Sequence, residues 1–105
     1  MSSPRLPVVL SPEARDDYES ILIYSESTWG EHQAIVYRDA LDRAIDRLAL
    51  FPRMGRARED VFPGCRVCRV RQHLLIYRID ADAVVIVRVL HVRQDIEREF
   101  EDFEG

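Results

Sequence analysis

The side chains able to do chemistry cluster in the second half of this chain. Cys65 and Cys68 form a C-x-x-C pair, His73 follows, and His91, Arg93 and Asp95 close the last apolar run. Two cysteines and two histidines could complete a zinc site, and C-x-x-C could be a redox pair. The spacing argues against both. Residues i and i+3 of a strand point to opposite faces, whereas redox pairs of this type sit at a helix N-terminus. Cys65 and Cys68 are therefore expected as small buried apolar residues, with no metal and no cofactor. His91 is the group expected to titrate near neutral pH or to touch a partner. All 15 basic residues are arginine, so lysine nucleophiles and Schiff bases are excluded.

The arginines are not spread evenly. Residues 51–94 hold nine Arg against four acids, while residues 11–50 and 95–105 are each net acidic. The formal net charge of -4 hides this segregation. A basic middle segment implies an anionic partner or an acidic peptide. The residues expected to meet it are Arg66, Arg69, Arg71, Arg78, Arg88, His91 and Arg93, together with the apolar tail residues Ile96, Phe100 and Phe103.

These groups need elements to hold them. Residues 6–10 are an apolar run followed by Ser11-Pro12-Glu13, which reads as a strand feeding a helix with a hydroxyl N-cap and proline at its first position. Ala14, Tyr18, Ile21, Leu22, Ser25 and Trp29 recur at helical spacing, and Gly30 breaks the helix. The period restarts at Glu31 with Tyr37, Leu41, Ile45 and Leu48 on one side. Tyr18, Trp29 and Tyr37 are all expected in the core. Residues 52–64 form a long connection with Gly55, Pro63, Arg53, Arg56 and Arg58, and loops of that length are often functional.

Residues 65–71, 74–79 and 84–91 then change to strand composition, separated by turns at 72–73 and 80–83. Uninterrupted alternation puts Leu74, Ile76, Arg78, Val85, Val87, Val89 and His91 on one face and Leu75, Tyr77, Ile79, Val84, Ile86, Arg88 and Leu90 on the other. Both faces are apolar, and the helical hairpin covers one. A surface edged with guanidinium is thus expected to stay open for another polypeptide, with Ile96, Phe100 and Phe103 of an amphipathic tail helix closing part of it.

With 105 residues the chain suits one domain spanning 1–105. Its apolar runs are well short of the roughly 20 residues needed to cross a bilayer, and residues 1–10 lack the pattern of a signal peptide. A cytoplasmic, soluble protein with no membrane contact is the expectation. The fold class expected is α+β: a two-helix hairpin on a small, mostly antiparallel sheet in the order β-α-α-β-β-β, with a short C-terminal helix.

That order, with Leu10-Ser11-Pro12-Glu13-Ala14, Trp29-Gly30, Phe51-Pro52-Arg53-Met54-Gly55-Arg56, His73-Leu74-Leu75-Ile76-Tyr77-Arg78-Ile79 and Arg88-Val89-Leu90-His91-Val92-Arg93, resembles the ParE branch of the RelE/ParE toxin superfamily. The resemblance implies a toxin of a type II toxin–antitoxin system of the plasmid-stabilisation kind. It implies a ParD-like antitoxin as partner, DNA gyrase as target, and no sequence-specific nucleic-acid binding by the toxin alone. The sister RelE branch cleaves ribosome-bound mRNA, and a nuclease of that kind would use His73, His91 and Arg93. The missing lysines, and Glu99 and Phe100 where a catalytic Tyr would stand, argue for a non-enzymatic toxin with no catalytic residues. A degenerate module that only binds antitoxin is the third reading.

Overall fold

The computed structural model describes residues 5–103. Strand β1 (Val8–Leu10) leads into helix α1 (Pro12–Trp29), and Gly30 links it to α2 (Glu31–Leu50). The strands β2 (Arg56–Ala57), β3 (Arg66–Val70), β4 (His73–Ile79) and β5 (Val84–His91) follow, then the short helix α3 (Ile96–Glu99). The five strands form one sheet in the order β1-β5-β4-β3-β2. Only β1 and β5 are parallel, and the other pairs are antiparallel. The expected architecture is present, with β2 as an added strand inside the long connection.

Local chemistry explains the entry to α1. The Ser11 hydroxyl accepts the Ala14 N–H at 3.0 Å and donates to the Val87 carbonyl at 2.8 Å, so the N-cap also ties the helix to the sheet. Between the helices, Gly30 has a φ of 95°. That left-handed value favours glycine and permits the immediate restart of α2.

The two helices cover one face of the sheet. Leu41, Leu48, Leu75, Tyr77, Val84 and Ile86 are fully buried there. The opposite face carries Cys65, Val67, Ile76, Val87 and Leu90, packed under Phe62 and Phe100. This overturns the expectation of an open second face. Phe62 from the connection stacks on Phe100 and Phe103 at centroid distances of 5.3 and 4.8 Å, and Arg58 bridges Asp60 and Glu97. Loop and tail form a joint lid because each supplies the apolar area the other lacks.

A β-bulge separates the two halves of the β4–β5 pairing. Tyr77 pairs with Ile86, but Ile76 pairs with Arg88, leaving Val87 as the extra residue. The bulge reverses every following side chain. Val89 joins the helix-side core and Leu90 the opposite one, contrary to uninterrupted alternation. His91 is carried to the helix side with Val89, and Arg88 pairs with Ile76 instead of lying with Leu75 and Tyr77.

The long connection is held by Tyr77. Its buried hydroxyl donates to the Pro52 carbonyl at 2.7 Å and accepts the Gly55 N–H at 2.9 Å. A Cβ on Gly55 would lie 2.6 Å from that hydroxyl and 2.9 Å from the Val67 carbonyl, so only glycine fits. The Phe51–Arg56 and His73–Ile79 motifs therefore belong together as lock and bolt.

Candidate functional site

The bulge assembles a cluster at the open end of the hairpin. His73 and His91 face one another across β4 and β5 with ring centroids 5.2 Å apart, and Tyr37 packs edge-on against His73 at 5.4 Å. The Tyr37 hydroxyl shares a hydrogen bond with His73 Nδ1 at 2.5 Å and accepts the Gln72 N–H at 3.2 Å. Burial pushes the His73 imidazole down to about 4, and the neighbouring His91 adds to the effect, so His73 is neutral at pH 7. Burial pushes the Tyr37 hydroxyl up. His91 Nδ1 accepts the Arg93 N–H at 3.0 Å. Arg93 itself is exposed, and Asp95 caps α3 by accepting the Arg98 N–H.

Beside this cluster lies an apolar cleft of about 460 Å³ walled by Ile21, Tyr24, Trp29, Tyr37, His73 and His91. Tyr24 and Trp29 are 64% and 68% exposed, so the expectation of Trp29 in the core is corrected. Trp29 occupies the last turn of α1 and forms a cleft wall, whereas Tyr18 and Tyr37 pack against the core as expected. The Tyr18 hydroxyl donates to Asp42 at 2.6 Å. Tyr24 was missed because it falls off the buried stripe, and an exposed Tyr–Trp pair on one helix is the signal that marks it.

The arginines divide by role. Arg66 donates to the Arg53 and Gly55 carbonyls at 3.2 and 2.8 Å and braces the connection. Arg78 pairs with Asp80 at 3.1 Å and finishes a strand. Arg88 makes a two-pronged pair with Asp17 at 2.7 and 3.1 Å and reaches Glu99 at 3.4 Å. Asp17 also accepts the Val89 N–H at 2.9 Å, closing the edge of β5 beyond β1. Each of these three has a partner within the chain. Arg69, within β3, and Arg71, on the turn into β4, are at the surface, and Arg69 Nε donates to the Arg71 carbonyl at 2.8 Å. Arg71 has a φ of 55°, and the turn residues are Arg71 and Gln72, one position earlier than expected.

The tail residues divide. Phe100 is buried and Ile96 half-buried against the sheet, while Phe103 stacks on both Phe62 and Phe100 and stays exposed. Cys65 and Cys68 are free and buried in the two opposite cores. Burial pushes the Cys65 thiol up to about 11 and raises Cys68 as well. Among the described residues no three His, Cys, Asp or Glu side chains converge on a possible metal position. No described helix is long and apolar enough to cross a membrane.

A helical hairpin on a five-stranded mixed sheet, with a short helix closing the far face, is the architecture of the RelE/ParE class of small toxins. A chain of the chromosomal ParDE toxin–antitoxin system from P. aeruginosa shares it with a TM-score of 0.72 and 16% identity, covering 85% of this chain and 98% of that one. A chain of the RelBE2 toxin–antitoxin complex from Mycobacterium tuberculosis gives 0.61 and 25% identity, over 86% and 94%. Sequence narrows the class. The family model described as "ParE toxin of type II toxin-antitoxin system, parDE" matches residues 8–96. Toxin ParE1 of Mycobacterium tuberculosis is 41% identical over 91 residues, covering 86% of this chain and 93% of the relative. Toxin ParE1 of Caulobacter vibrioides is 39% identical over 85 residues, covering 81% and 88%. The chain belongs to the ParE toxin family and is the toxin component of a type II toxin–antitoxin system.

Proposed function

We propose that this toxin arrests growth by gripping DNA gyrase in the bacterial cytoplasm, without catalysis, and that a ParD-like antitoxin relieves the arrest. The observation that carries this reading is the state of the Tyr37–His73–His91 cluster. A ribonuclease needs a base and an acid poised near neutral pH and a cation aimed at the reacting phosphate. Here His73 is held neutral by burial and its Nδ1 is occupied by Tyr37, while His91 Nδ1 is occupied by a backbone N–H. The cluster braces a surface.

That surface is the aromatic cleft, with Tyr24 and Trp29 as anchors and His91 and Arg93 at its end. Exposed Trp and Tyr beside a cavity are the residue types that dominate protein–protein binding energy. The test is a supercoiling and DNA-breakage assay with purified gyrase, run beside an mRNA-cleavage assay in a translation extract. Supercoiling is expected to fall with the wild type while mRNA stays intact. The Tyr24→Ser/Trp29→Ser variant is expected to need at least about 10-fold more protein for the same inhibition. Unaltered gyrase activity, or mRNA cuts that vanish in His91→Ala, would replace this reading with the nuclease one. Unimpeded growth on expression without antitoxin would replace it with a module that only binds.

A further inference from the structure

Strand β5 outruns its neighbour on one side. Strand β1 pairs with it only at Val84, Val85 and Ile86. Beyond that point the outer edge of β5 is met by two side chains from the start of α1. The Ser11 hydroxyl donates to the Val87 carbonyl at 2.8 Å. Asp17 accepts the Val89 N–H at 2.9 Å and holds the Arg88 guanidinium at 2.7 and 3.1 Å. Val87, Arg88 and Val89 are the residues of the bulge, and each is gripped. The Asp17 side chain is only 18% exposed, so its carboxylate needs partners, and the bulge supplies all three of its donors.

The grip is specific to the register. Along β1 the outward groups of β5 belong to even positions: the Val84 N–H donates to the Pro7 carbonyl and the Ile86 carbonyl accepts the Ser11 N–H, both at 2.9 Å. In a regular strand the next outward groups would be those of Arg88. Ser11 and Asp17 instead take a carbonyl and an N–H from Val87 and Val89, odd positions. These face outward because β5 has one residue more than β4 across the Ile76–Tyr77 step.

Register also decides what reaches the aromatic cleft. Regular alternation would send Arg88 to the helix side with Tyr77 and Ile86, and His91 to the opposite face. In the bulged strand Arg88 turns to Asp17, while His91 stands beside His73 and lines the cleft with Tyr24 and Trp29.

We infer that Ser11 and Asp17 are positioning residues for the cleft: they hold β5 in the bulged register, and that register brings His91 to the cleft's end. The functional consequence rests on the gyrase reading, whereas the register argument rests on the fold alone. Protecting a strand edge would be served equally well by a regular strand. Bringing the two imidazoles together would not.

Full-length wild type is compared with Ser11→Ala/Asp17→Ala, Asp17→Asn and Tyr77→Phe. Tyr77→Phe loses a hydroxyl that serves the long connection and controls for lost stability. The first readout is NMR cross-relaxation between the His73 and His91 ring protons. It is expected in wild type, in Tyr77→Phe and in Asp17→Asn, which keeps an oxygen for the Val89 N–H, and it is expected to vanish in the double variant. The second is the titration of His73, which stands at about 4 in wild type. In the double variant it is expected to rise by at least about one unit, as His91 leaves and water enters. Loss of the Asp17 charge alone works the other way, because that carboxylate raises the His73 value. The sign of the shift therefore separates register from charge. The third is gyrase supercoiling, where the double variant is expected to need at least about 10-fold more protein and Tyr77→Phe to stay within about 2-fold, at a temperature where both are folded.

A ring contact that survives in the double variant, or a His73 titration that stays or falls, would overturn the inference. So would loss of the contact with gyrase inhibition equal to wild type, which leaves the gyrase reading standing. If wild type itself does not inhibit gyrase, that reading fails separately, and growth arrest on expression without antitoxin takes its place: arrest by Tyr77→Phe but not by the double variant upholds the positioning role, and equal arrest by both overturns it. Should the double variant fail to fold by circular dichroism, Asp17→Ala and Ser11→Ala decide singly by the same readouts.

Discussion

Removing one oxygen from Tyr77 tests how the long connection is held. Tyr77 is fully buried, and Tyr77→Phe keeps its ring while deleting the hydroxyl that joins the Pro52 carbonyl to the Gly55 N–H. The Gly55 N–H is then left without a partner in a buried position, and the Pro52 carbonyl in a partly buried one. An orphaned buried group costs about 1–3 kcal/mol, so the Gly55 N–H together with the half-buried Pro52 carbonyl set the loss at about 3 kcal/mol. For a domain of this size that is a fall in Tm of roughly 10 to 15 °C.

The companion variant is Tyr18→Phe, which loses a 2.6 Å hydrogen bond to the exposed Asp42. Water can replace that partner, and the expected cost is under about 1 kcal/mol. The assay is urea unfolding of both variants beside wild type, with amide exchange at Gly55. Gly55 is expected to lose its protection in Tyr77→Phe alone. Equal stabilities of the two variants within about 0.5 kcal/mol, or unaltered exchange at Gly55, would refute the lock that joins the two motifs.

Three further outcomes follow from the same structure. Asp17→Asn weakens the two-pronged bond to Arg88 and the support of the Val89 N–H, and urea unfolding is expected to register a loss of about 2 kcal/mol. Stability is expected to fall with pH between about 6.5 and 4, because the unfolded chain takes up a proton on His73 over that range and the folded chain does not. The change, on the order of 1–2 kcal/mol after allowance for half-burial, is expected to vanish in His73→Gln when unfolding is repeated at each pH. Cys65 and Cys68, buried in opposite cores with raised thiol pKa values, are expected to react with an aromatic disulfide reagent at pH 8 only after denaturation.

Much of the architecture was legible because local chemistry specifies it. Ser11-Pro12 starts α1, Gly30 divides the helices, and i,i+3 spacing on a strand sends Cys65 and Cys68 into different cores. The motifs carrying the family resemblance were legible for the same reason, and the matched family extends over residues 8–96. The site was less so. Arg66 and Arg88 look free in a string of letters, yet each meets a carbonyl or carboxylate brought from another part of the chain.

What amino-acid order determined by itself was the set of elements, since caps, breakers and hydrophobic period act within a few residues. What only tertiary structure decided was which way those elements face. One unpaired residue, Val87, turns Val89 and His91 toward the helices, and period-two alternation has no means of registering an insertion. Phe62 and Phe100, from segments far apart in sequence, close the second face. Long-range packing, which depends on how areas match across the sheet, is the physical reason.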